Sequence, residues 1–157
     1  MKQYSARDIA EWFVAWAEEI EDAELSSLQL QKLLYYAKAH VMRQHHGMSL
    51  FSDRMEAWSN GPVIPSLFNE LRTFENRPID SSRFVSPDFD WDNFREVEKD
   101  LVEVWDKYGG YCSWVLRNMT REEDPWRKNF TTDSQPIEIP DADLKELLGH
   151  VGNKVFR

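Results

Sequence analysis

Residues 28–65, LQLQKLLYYAKAHVMRQHHGMSLFSDRMEAWSNGPVIP, constrain this chain more than any other stretch. Leu30, Leu33, Leu34, Ala37 and Val41 recur at helical spacing and make one apolar stripe. Leu28, Tyr35, Ala39 and Met42 occupy other sides of the same wheel. A helix apolar most of the way round belongs inside a domain, with neighbours on several sides. Gly47 gives it a stop, and Ser52-Asp53 is a polar turn. Residues 55–58 suit a short strand, and Asn60-Gly61-Pro62 suits a turn, since Asn and Gly tolerate positive φ and Pro fixes the next φ. Pro65 is placed to open a further helix.

The remaining chain reads as more helix. Residues 5–22 form an amphipathic segment with Ile9, Phe13, Trp16 and Ile20 on its stripe and Ser5 and Asp8 as a capping pair. Glu18, Glu19, Glu21 and Asp22 crowd its C-terminal end, where the macrodipole disfavours anions. Ser26 and Gln29 are a second capping pair, ahead of the central helix. Residues 65–74 make a short helix, and 75–91 a long loop in which residues 83–85 could add a strand beside 55–58. Helices are expected over 92–108, closed by Gly109-Gly110, over 111–119, and over 141–148, stopped at Gly149. Residues 120–140 read as irregular. The pattern predicts a mainly α, compact single-domain bundle of roughly five to seven helices around the buried central one, with a small β element near residues 55–58.

Composition narrows the function classes. The net charge is −9, and residues 8–24 hold seven acids and no base. Residues 88–106 carry a net −6. Clustered Lys and Arg are what phosphate contacts need, so nucleic acid is a poor partner and a basic protein a better one. Such charge runs also serve simply as solvated faces. The single Cys112 excludes an intrachain disulfide and sits in register with Val115, Leu116 and Met119, which suits a structural thiol. Early charges at Arg7, Asp8 and Glu11 argue against a signal peptide, and no apolar run reaches the roughly 18 residues that span a bilayer. A soluble, cytoplasmic protein without membrane contact is expected.

Catalytic chemistry is hard to assemble from these residues. His45-His46 are adjacent and point about 100° apart on a helix, and His40 and His150 lack companion ligands in sequence. There is no phosphate loop, nucleophile elbow or HExxH. Glu122-Glu123-Asp124 are acids expected to share one loop environment, whereas acid–base work needs two. No catalytic residue, metal or cofactor is expected. Lys32 is unusual, an ammonium on the second apolar side of a buried helix. It either forms an internal ion pair, with Glu56 or Asp53 the nearest carboxylates in prospect, or contacts a partner.

The order LQKLLYYA, a histidine-bearing helix end, then LF-x-D-x-x-x-AW-x-x-GPV-x-P resembles the Panacea antitoxin domain, the SocA-like or GepA-like family. The likeness is carried by Leu30, Gln31, Lys32, Leu33, Leu34, Tyr35, Ala57, Trp58, Gly61, Pro62, Val63 and Pro65, and more loosely by Thr120 and Pro125-Trp126, spanning about residues 5–148. Arg121 departs from it, standing where a histidine commonly follows the threonine. The resemblance implies one antitoxin domain over residues 1–157 that neutralises a cognate toxin protein by direct binding; the alternative is an adaptor presenting a client toxin to a cytosolic protease. The candidate partner-binding residues are Trp58, Asn60, Gly61, Pro62, Val63 and Trp126, with Lys32 and Tyr35 as structural motif residues. The competing reading of the same residues is that Trp58 covers the core and the turn sets the entry of the next helix.

Overall fold

The computed structural model describes residues 1–133 and 135–151, with side chains placed through Leu147. Helix α1 (Ala6–Glu19) opens on a capping box in which Ser5 and Asp8 satisfy each other's backbone N–H groups. Helix α2 (Ser27–Gln44) does the same with Ser26 and Gln29. Gly47, at φ +87, ends the turn beyond α2 by returning its N–H to Met42. As the periodicity of two apolar sides demands, α2 is buried along nearly its whole length.

Strands β1 (Glu56–Trp58) and β2 (Gly61–Val63) form a hairpin that pairs Trp58 with Gly61 and Ala57 with Pro62. The turn proper is therefore Ser59-Asn60, and Gly61, Pro62 and Val63 belong to the returning strand. Pro62 is tolerated because β2 is an edge strand in a sheet of order β2-β1-β3. The third strand is β3 (Ile137–Glu138), antiparallel to β1. Residues 83–85, expected to supply a strand, instead fall in and just after the single-turn α4 (Ser81–Phe84), which Asp80 caps. Phe84 buries itself under the Arg7 guanidinium, 4.4 Å from the ring. That local turn with an apolar anchor outcompetes pairing.

Helix α3 (Pro65–Leu71) begins on its proline and runs into a 3-10 turn at Arg72–Phe74. The segment expected to be helical from residue 92 starts as a separate 3-10 turn, Trp91–Phe94, and α5 (Glu98–Tyr108) begins only afterwards. Helix α6 (Ser113–Arg121) takes Cys112 as its N-cap residue, so the thiol is exposed rather than part of the apolar stripe. The supposedly irregular stretch after it contains the one-turn α7 (Asp124–Arg127), entered through Pro125. Helix α8 (Asp141–Val151) continues past Gly149, and the side chain of His150 lies outside the described residues.

The described residues thus hold eight α-helices, two of them single turns, and one small sheet. Helix α2 packs against α1, α5, α6, α8 and β2. Aromatic rings supply much of the filling: Trp12 stacks on Trp16 at 5.0 Å and meets the edge of Trp91 at 6.1 Å. No described helix is long and apolar enough to cross a membrane.

Candidate functional site

The distinctive residues of 28–65 converge on one place, where α2 crosses the hairpin. Gln31 behaves as a surrogate strand: its amide oxygen accepts from the Ile64 N–H at 2.8 Å, and its NH2 donates to the Ile64 carbonyl at 3.3 Å. One turn of side chain therefore satisfies both backbone groups at the end of the edge strand β2. Lys32 is 0% exposed and donates from Nζ to the Pro62 carbonyl at 3.0 Å. The expected carboxylates are engaged elsewhere. Glu56 pairs with Arg54 and accepts from Trp58 Nε1, while Asp53 accepts from the Ala6 N–H and from Ser66. Lys32 thus holds the hairpin through a neutral acceptor, not an ion pair with either acid. Burial, with the nearby Arg117 guanidinium adding to it, lowers the ammonium from its usual 10.5 to about 7.

Gly61 explains how such a bulky group fits. Its φ is +108, and a Cβ there would lie 2.7 Å from Lys32 Cε and 2.8 Å from Thr120 Oγ1. Only glycine offers both that backbone angle and that clearance. Thr120, fully buried, turns its hydroxyl back onto the Arg117 carbonyl.

The helix pair α6–α7 closes the same knot from the far side. Glu123 is 3% exposed, and its two carboxylate oxygens accept from Tyr35 and Tyr36 at 2.8 and 2.9 Å. Its neighbours Glu122 and Asp124 are exposed, so the three acids do not share an environment. Burial first, then the adjacent Glu123 carboxylate, pushes both tyrosines well above their usual range. Tyr36 also stacks on Tyr108 at 3.8 Å. Trp126, 6% exposed, donates from Nε1 to the Trp58 carbonyl at 2.7 Å and stacks on Phe130. Arg121 lays its guanidinium over the Trp126 ring at 5.0 Å.

The candidate residues therefore separate. Gly61, Pro62 and Val63 are buried within the hairpin itself and Trp126 packs beneath it, whereas Trp58 is half-buried, with its ring against Phe68 at 4.9 Å. Trp58, Asn60 and Val63 line an open groove of about 340 Å3 whose other wall is Leu28, Phe68 and Leu71. Across the hairpin tip, Arg117 bridges from Asn60 Oδ1, at 3.0 Å, to the ring of Trp114, at 5.2 Å. Trp114 is 64% exposed and was not among the sequence candidates. Its position was legible in principle: two residues before the buried Leu116, it falls on the opposite side of the α6 wheel.

Structure also gives His40 companions that the linear sequence hides: Asp100 and Glu103 of α5 reach its ring across the α2–α5 contact. That cluster is separate from the hairpin.

The fold and the knot define a mainly helical domain in which a short hairpin is clamped from below by α2, α6 and α7. The chain belongs to the family described as Antitoxin SocA-like, Panacea domain, whose family model matches residues 30–127. No curated protein and no solved structure matches it. The matched span covers the whole knot, from Leu30 through Trp126.

Proposed function

We propose that this domain is the antitoxin half of a toxin–antitoxin pair and that it neutralises a cognate toxin protein by direct, non-catalytic binding in the cytoplasm. The observation that carries the proposal is the state of Trp58. It is a half-buried ring on the wall of an open groove, displayed by a hairpin whose backbone is fixed by Lys32 and Trp126. A pre-fixed aromatic loses little entropy when it docks, which is why such residues dominate binding energy. Asn60 completes the contact surface, and Gly61, Pro62, Val63 and Trp126, all buried, support it. The partner that suits a chain of net charge −9 is a basic protein, steered by the acidic runs and inhibited by occlusion of its working surface.

The test screens the products of the genes flanking this one for a protein whose toxicity the chain relieves, and uses that protein as the probe. Trp58→Ala should weaken its binding by about 2 kcal/mol or more while leaving unfolding cooperative. Co-expression rescue should fall in parallel. Undiminished binding by Trp58→Ala would remove the groove from the interface, and failure of the intact chain to rescue growth would overturn the antitoxin reading. A shortened lifetime of the client in rescued cells, beyond what binding explains, would favour the protease adaptor instead.

A further inference from the structure

We infer that His40, Asp100 and Glu103 form a binding site for a divalent transition-metal ion at the contact between α2 and α5. Asp100 and Glu103 stand three residues apart on α5, so both carboxylates face α2. His40 Nε2 lies 3.0 Å from Glu103 Oε2 and 3.4 Å from Asp100 Oδ1, and one potential ligand atom from each residue lies within 4.8 Å of the others.

Two features of the cluster suit a metal ion. First, His40 Nε2 is buried and has no hydrogen bond of acceptable geometry, although two carboxylate oxygens lie within reach. Second, the two separations from His40 fit a coordination shell: ligand bonds of about 2.1 Å place neighbouring donor atoms about 3.0 Å apart at octahedral angles and about 3.4 Å apart at tetrahedral ones.

The surroundings supply what a metal ligand set needs. His45 Nε2 lies 2.8 Å from Asp100 Oδ2, which leaves Oδ1 turned toward His40. A partner of this kind orients a ligating carboxylate. Asp100 is nearly buried, while Glu103 stands at the rim with its side chain 45% exposed, which leaves a route for the ion and room for water ligands. One neutral imidazole and two carboxylates bring a charge of −2, which a divalent cation cancels. Mixed nitrogen and oxygen donors favour zinc and its first-row neighbours over calcium or magnesium. Such an ion would tie the end of α2 to α5, a structural role independent of the hairpin.

The experiment is calorimetric titration of chelator-stripped full-length protein with Zn2+, repeated with Co2+ while its visible absorption is followed. Cys112→Ser serves as the background, because that exposed thiol is a competing ligand. One saturable equivalent is expected, with the cobalt bands of a nitrogen–oxygen site. Glu103→Gln and His40→Ala should each weaken binding at least roughly tenfold, and His45→Ala by about ten- to a hundredfold, the usual effect of losing an orienting partner. The exposed His46→Ala should change nothing. Zn2+ should also raise the unfolding temperature of the parent and not of Glu103→Gln. No saturable binding, or equal affinity in parent and Glu103→Gln, would overturn the site. Should His40→Ala fail to fold, the rim variant Glu103→Gln decides the matter alone.

Discussion

At the scale of single residues, the informative ones are polar and buried. Lys32 was recognisable from sequence as out of place, but not its acceptor, because a carbonyl on a returning strand carries no sequence signal. Its depressed proton affinity has a direct consequence. Below about pH 7 both folded and unfolded chains carry the proton, and the full cost of burying the charge applies. Between about pH 7 and 10.5 the unfolded chain retains a proton that the folded chain has released, so stability rises with pH. Tyr35 and Tyr36 act in the opposite sense. Their folded-state proton affinities are raised above the usual 10, so their contribution is present below that pH and is lost as pH climbs past it. Urea midpoints should therefore increase from about pH 7 toward about pH 10 and then turn over. In Lys32→Met the rising limb should vanish; a persisting rise would mean the ammonium is not its source. Gly61→Ala meets both a forbidden backbone angle and the Lys32 and Thr120 side chains, and should cost roughly 2–4 kcal/mol by chemical unfolding.

Among the elements, those whose determinants are local were legible and those fixed by distant partners were not. Both capping boxes, the α2 stripe, the Gly47 stop and the Pro65 helix start follow from residues within one turn of each other. Strand β3 could not be read, since two exposed residues become a strand only by pairing with Glu56 and Ala57 some eighty positions away. The environment of Glu123 is hidden from sequence for the same reason, being made by Tyr35 and Tyr36 of another helix. Replacing it with leucine should cost about 2–5 kcal/mol, because two buried hydroxyls would lose their acceptor at once. Leu33→Ala and Leu34→Ala remove fully buried side chains from α2 and should each cost about 2–5 kcal/mol. An unfolding midpoint within error of the parent for either leucine variant would contradict the central position of α2.

For the whole molecule, the arrangement divides into an interior that holds a hairpin still and an exterior that displays it. The residues carrying the family likeness lie mostly in the interior: Gln31, Lys32, Tyr35, Gly61 and Trp126 all spend their polar groups or their space on fixing α2, the hairpin and α6–α7 together. A motif used this way sets a shape and leaves partner choice to residues outside it. Trp126 and Trp114 make the test, as two tryptophans on either side of that boundary. Trp126→Ala would leave a large cavity beneath the hairpin and free the Trp58 carbonyl, so thermal or chemical unfolding should show a loss of about 3–5 kcal/mol. Trp114→Ala removes an exposed ring whose only described ring contact is the Arg117 guanidinium, and stability should stay within about 0.5 kcal/mol. Binding to the proposed toxin partner should sort them the other way. Trp114→Ala should lose about 1–2 kcal/mol of affinity if the face around Asn60 is the one engaged, whereas the folded fraction of Trp126→Ala, in which Lys32 still ties the Pro62 carbonyl, should keep most of the parent's affinity. Equal binding by parent and Trp114→Ala would confine the interface to the Trp58 groove. A binding loss in Trp126→Ala larger than its unfolded fraction accounts for would show that the hairpin's rigidity, and not the exposed side chains alone, sets the affinity.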